Sequence, residues 1–144
     1  MSSSGSAENI ARPIALLFGV IYLGAGLIGF AATGFHGFVT PAGATFLGLK
    51  VNIFHNIVHI GIGTILLIAS RLPDAAMTQG IMLGVGIIYV VATLVGFLGK
   101  LPIIAITTAQ NPDNFFHLVS ASVIIFGGLA GAYQQRDADA AFQA

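Results

Sequence analysis

Four long apolar runs, separated by short segments rich in Gly, Pro and polar residues, constrain this chain more than any other feature. The first, Pro13 to Ala32, carries no charge, and a helix of about 20 such residues crosses the roughly 30 Å hydrocarbon layer of a bilayer. The others run from about Phe46 to Ser70, Met77 to Leu98 and Asn114 to Tyr133. Lipid offers no partner to a backbone N–H or C=O, so only helices and closed β-barrels span it. Barrel strands alternate polar and apolar residues, and these runs do not alternate. The expected fold class is therefore all-α membrane, a four-transmembrane-helix bundle.

Charged residues make up 7% of the chain, too few to give a soluble domain its polar surface. Five acidic residues balance five basic ones, which leaves no basic field for nucleic acid. The absence of cysteine removes disulfides, thiolate metal sites and cysteine nucleophiles together. Histidine is left as the strong nitrogen ligand.

The organisation expected is a polar N-terminal tail over residues 1–11, a membrane domain over 12–134 and a polar C-terminal tail over 135–144. Pro13 suits the first turn of helix one, where a missing N–H costs nothing. The first run is longer than a signal-peptide core and has a counterpart later in the chain, so it is expected to be retained. The short turn Arg71-Leu72-Pro73-Asp74 makes helices two and three antiparallel neighbours, with Asp74 placed to cap helix three. Arg12, Arg71 and Arg136 flank one side of the bundle and Lys100 the other, with Lys50 near the outer start of helix two. Basic residues favour the cytoplasmic side, so both termini are expected there, in a bacterial inner or photosynthetic membrane. His36, His55 and His117 then fall toward the opposite side, with His59 somewhat deeper.

The chain also repeats itself. Setting Gly19 on Gly86 matches Ile21 with Ile88, Tyr22 with Tyr89, Ala25 with Ala92, Leu27 with Leu94, Gly29 with Gly96 and Phe30 with Phe97. Independently, Asn56 and His59 match Asn114 and His117. The offset falls from 67 to 58 residues between the two matches, so the second copy has the shorter outer linker. Two tandem helical hairpins are expected, over 12–71 and 74–134, with pseudo-two-fold symmetry along the membrane normal, because copies with an even number of spans share one topology. Helix one is dense in glycine, including Gly19, Gly24, Gly26 and Gly29, which lets helices approach closely in lipid.

Polarity inside the spans is densest in two places: Lys50, Asn52, His55, Asn56 and His59 on helix two, and Asp113, Asn114 and His117 at the start of helix four. His55 and His59 stand at i and i+4 and share a face. Asp113 and His117 have the same spacing, which would let a carboxylate orient an imidazole. In the functional reading, His55, His59 and His117, with Asn56 and Asn114 beside them, converge on a ligand. Neutral imidazole suits haem iron, chlorophyll magnesium, zinc or copper, and Gly61 and Gly63 would admit a flat macrocycle. In the structural reading, which carries more weight, Asn56 bonds His117 and Asn114 bonds His59 as polar glue between helices, worth about 0.6 kcal/mol per contact. Tyr22 and Tyr89 read as packing residues, Lys50 as snorkelling to the outer interface, and His36 as a solvated loop residue.

The motifs His55-Asn56-Ile57-Val58-His59 and Asn114-Phe115-Phe116-His117 resemble those of a bacterial family of four-helix membrane proteins, domain of unknown function 4383. The likeness spans about Pro13 to Tyr133, with Phe115 where that family often has Trp. The resemblance implies the four-helix architecture and points to His55, Asn56, His59, Asn114 and His117. It implies no reaction.

The expected role is a non-enzymatic accessory or scaffold subunit, surrounded by lipid and attached to a respiratory or photosynthetic electron-transport complex, with haem, chlorophyll or no cofactor. The apolar linker Leu101 to Ile106 would lie against that partner. A second reading is a metal-dependent membrane enzyme using His55, His59, His117 and Asp113, since catalytic zinc takes three protein ligands and an open fourth position. A transporter or channel ranks third, because the inner halves of the spans lack the polar path transport requires.

Overall fold

The computed structural model describes residues 9–143. Most of the N-terminal tail expected over residues 1–11 lies outside that range. Among the described residues four helices are long and apolar enough to cross a membrane: α1 (Ala11–Thr33), α2 (Ile53–Ser70), α3 (Ala75–Phe97) and α4 (Pro112–Gln143). The chain is an all-α integral membrane protein in which α1 packs chiefly on α2 and α3 on α4.

Each helix end has a local cause. Gly34 closes α1 in the left-handed region (φ 56°), its N–H donating to the Phe30 carbonyl; only glycine enters that region without strain. Asn52 and Asp74 cap α2 and α3, their side chains accepting from the backbone N–H of His55 and Ala76. Asn111 does the same for α4, accepting from the Asp113 N–H at 3.0 Å, and Pro112 fills the first helical position.

Helix two starts later than its apolar pattern suggests. Residues expected at its beginning instead form an antiparallel hairpin, β1 (Ala44–Phe46) with β2 (Leu49–Val51), pairing Ala44 with Val51 and Phe46 with Leu49. The two-residue loop has Leu47 at φ 50° and Gly48 at φ 84°, the pair of positive values that a type I′ turn demands. Lys50 points outward from β2 and donates to the Thr45 hydroxyl at 2.9 Å.

Helix four is longer than expected. The polar stretch after Gln134 continues it to Gln143, giving about 48 Å at 1.5 Å per residue, well beyond the hydrocarbon layer. Asn9 and Ile10, just before α1, are not free either. Asn9 donates to the Gly131 carbonyl at 2.8 Å, the Ile10 N–H donates to the Gln134 side chain at 3.0 Å, and Ala11 is fully buried. Arg12 donates to the carbonyls of Leu72 and Pro73 at 2.9 and 2.6 Å, tying the start of α1 to the α2–α3 turn.

The core is narrow and central, built from Tyr22, Leu66, Met82, Val85, Tyr89 and Ile124 among others. Large apolar side chains such as Leu27, Ile28, Ile88, Val91, Phe126 and Leu129 stay exposed on the outside. In water such a surface would be an aggregation hazard; in lipid it is the solvated face. Contacts recur between the two hairpins. A Cβ on Gly19 would meet Leu67 and one on Gly86 would meet Ile125, while Gly29 faces the Asn56 side chain and Gly96 faces that of Asn114.

Candidate metal centre

The hydrogen bonds that place the polar residues begin at Asn52. Its side chain accepts from the His55 N–H at 2.9 Å and donates to the carbonyls of Thr40 and Ile103, at 3.3 and 2.9 Å. One residue thus starts α2 and pins both outer linkers to it. The linker after α3 folds into a 3-10 turn, Pro102–Ile104, closed by a bridge between Leu101 and Ile106. Ala105 and Ile106 are buried, and Ile104 beside them covers the His55 side of the cluster. Ile104, Ala105 and Ile106 of the linker expected to lie against a partner therefore roof its own bundle, while Pro102 and Ile103 stay exposed.

Beneath this roof His55, His59 and His117 come together. They are 1%, 6% and 3% exposed, and each offers a ring nitrogen such that all three nitrogens lie within 4.8 Å of one another. The i, i+4 spacing on α2 sets His55 and His59 edge to face with ring centroids 4.3 Å apart, and α4 brings His117 to 5.9 Å from His55 and 6.5 Å from His59. Tyr22 stands 5.1 Å from His59 and Tyr89 stands 5.1 Å from His117, with 5.1 Å between the two tyrosines. Five buried rings form a closed circuit.

The hydrogen bonding inside that circuit is incomplete. Among the described residues His55 Nε2, His59 Nε2 and His117 Nδ1 have no partner, nor do the Tyr89 hydroxyl and Asp113 Oδ2. His55 Nδ1 lies 3.3 Å from the Lys50 carbonyl. A carbonyl only accepts, so this contact calls for a proton on Nδ1, and a backbone acceptor of this kind is what orients a histidine ligand. Tyr22 alone of the two tyrosines is satisfied, donating to the Ser120 hydroxyl at 2.6 Å.

Several expected contacts do not form. Asn56 does not reach His117: neither of its amide atoms has a partner, and it packs instead where Gly29 leaves room. Asn114 donates to the carbonyls of Thr108 and Ala109, both at 3.1 Å, and its Oδ1 has no partner among the described residues, so it does not bond His59. The two asparagines are held against the glycines of their own hairpin partners and so turn away from the imidazoles. Asp113 makes no hydrogen bond to His117 and lies outside the three-histidine group, although it is 1% exposed and lines the same cavity as His59 and His117. Gly63, expected to make room for a macrocycle, lies against the Leu23 backbone; its missing side chain serves the packing of α1 on α2. His36 is exposed.

Sequence reasoning singled out the three histidines but missed how the tyrosines frame them. The signal was present in the repeat, which equates Tyr22 with Tyr89 just as it equates His59 with His117.

A profile of the family described as "Domain of unknown function (DUF4383)" matches residues 12–130. None of the curated proteins and none of the solved structures matches the chain.

Proposed function

The chain belongs to the DUF4383 family, and from that premise we propose that it is a metal-binding integral membrane protein whose His55, His59 and His117 hold one divalent transition-metal ion. The observation that carries this reading is that three buried histidines, each with an unpartnered ring nitrogen, bring one ring nitrogen apiece within 4.8 Å of one another. A buried polar group left without a partner costs about 1–3 kcal/mol, and three at one point are hard to retain unless something joins them. Zinc–nitrogen bonds of about 2.0–2.1 Å place tetrahedral ligands roughly 3.3 Å apart, a contraction that small side-chain rotations supply. Three imidazoles with an open position suit zinc best, with copper and iron as alternatives of the same ligand class.

The haem or chlorophyll reading draws less support. A macrocycle ligated between His59 and His117 would need the space that His55 fills. A catalytic role for the open position is the enzyme form of the same proposal, with Asp113 beside the ion. The two hairpins, 12–71 and 74–134, are proposed to be related by a pseudo-two-fold axis along the membrane normal. The matched glycine contacts and the equal Tyr–His separations support it.

Metal analysis of protein purified without chelator and incubated with Zn2+ or Cu2+ tests the reading. About one ion per chain is expected, and His59→Ala should weaken binding by more than about tenfold, since even residues behind the ligands typically cost that much. Less than stoichiometric metal in the unsubstituted, folded protein overturns it, and leaves ordered water as the occupant of the site.

A further inference from the structure

The histidine cluster has a side entrance. A cavity of about 490 Å³ runs from the histidines to the outer surface between α1 and α4, within the size range of small-molecule sites. Tyr22, His59, Asp113 and His117 form its polar end, and the rest of its wall is apolar. Val20 and Ile28, on that wall, are 57% and 59% exposed on the lipid-facing flank of α1, so the mouth opens within the apolar belt of the molecule. Phe46, Leu49 and Val51 of the hairpin close it toward the outer end.

We propose that this cavity takes a lipid-soluble alcohol or phenol from the bilayer, the hydroxyl oxygen binding the ion and the hydroxyl proton bonding Asp113 Oδ2. The inference rests on the metal reading above and adds the ligand to it. An ion held by three imidazoles keeps an open position for an oxygen donor. Asp113 Oδ2, buried on the same wall, needs a donor. A hydroxyl is both at once. A carboxylate would set like charge beside Asp113, an ether or quinone carbonyl has no proton to give, and an ammonium has no lone pair for the ion. The apolar wall selects a greasy body, which binding removes from neither water nor a polar surface but from equivalent lipid, so the head group must supply the specificity.

Cobalt substitution makes the open position visible, because the d–d bands of Co2+ respond to a change of ligand. In lipid nanodiscs, 4-dodecylphenol should shift the spectrum of the Co2+-loaded protein saturably, while its methyl ether should not. A Cβ on Gly24 meets nothing within 4 Å and the residue lines the cavity, so Gly24→Phe should fill the space yet still bind Co2+. That variant should lose the phenol response, and Asp113→Leu should weaken it at least tenfold. Spectra that ignore the phenol, an equal response to the ether, or an unchanged response in Gly24→Phe would each overturn the proposal and leave the metal site standing. Failure to bind Co2+, Zn2+ or Cu2+ at all would overturn both.

Discussion

At the scale of single residues, the two tyrosines that the repeat makes equivalent have opposite energetic positions. Tyr22 is 1% exposed and donates to Ser120, itself 2% exposed. Tyr89 is 3% exposed, and its hydroxyl has no partner among the described residues. Removing the Tyr22 hydroxyl strands a buried serine, whereas removing that of Tyr89 strands nothing. Tyr22→Phe is therefore expected to lower stability by about 1–3 kcal/mol, and Tyr89→Phe to leave the metal-free protein within about 0.5 kcal/mol of its starting stability or slightly above it. Thermal unfolding of the two variants side by side in the same detergent measures the contrast. Equal losses would mean that Tyr89 has found a donor or acceptor such as trapped water.

At the scale of elements, the outer end depends on Asn52. It caps α2, holds Thr40 of the first outer linker and holds Ile103 of the second. Loss of a cap alone costs about 1 kcal/mol, and the two further bonds bring the expected cost of Asn52→Ala to about 2–3 kcal/mol. The loss should be local as well as global. Hydrogen exchange is expected to speed up in residues 101–106, which cover His55, more than in the middle of α3. Uniform acceleration would deny Asn52 its place as a clasp. How legible these elements were in the sequence follows the same physics. The spans could be read directly because length and apolarity alone decide what crosses lipid, and Asp74 was readable as a cap because it sits between Pro73 and a helix. The hairpin could not be read. Phe46, Leu47 and Leu49 continue the apolar run of α2, and its turn carries Leu47 where Asn or Gly would announce a type I′ loop. The extension of α4 past Gln134 was hidden for the opposite reason, since polar residues there look like tail although alanines and glutamines are good helix formers. Of the candidate site, the histidines were legible through their i, i+4 spacing and the repeat. Their partners were not, because whether Asn56 faces His117 or Gly29 depends on helix rotation that a sequence does not carry.

At the scale of the whole molecule, the antiparallel hairpins place all three histidines at one end and Arg12, Arg71 and Arg136 at the other. The basic residues favour a cytoplasmic position for their end, so the histidine end is proposed to face outward and to take its ion from that side. The chain contains no cysteine, which makes the orientation directly measurable by single-cysteine labelling. His36, in the exposed linker between α1 and β1, and Asp139, exposed on the polar extension of α4, mark the two ends. In intact cells a membrane-impermeant maleimide should modify His36→Cys at once and Asp139→Cys only after permeabilisation. The reverse pattern would put the histidine cluster at the cytoplasmic face, and the proposed ion would then come from the buffered pool of the cell. Labelling of both from outside would contradict the even number of spans on which the two-hairpin architecture depends. Because α1, α2 and the α2–α3 turn are tied together through Arg12, inversion of a single hairpin would break that anchor, and so the molecule should insert in one orientation as a unit.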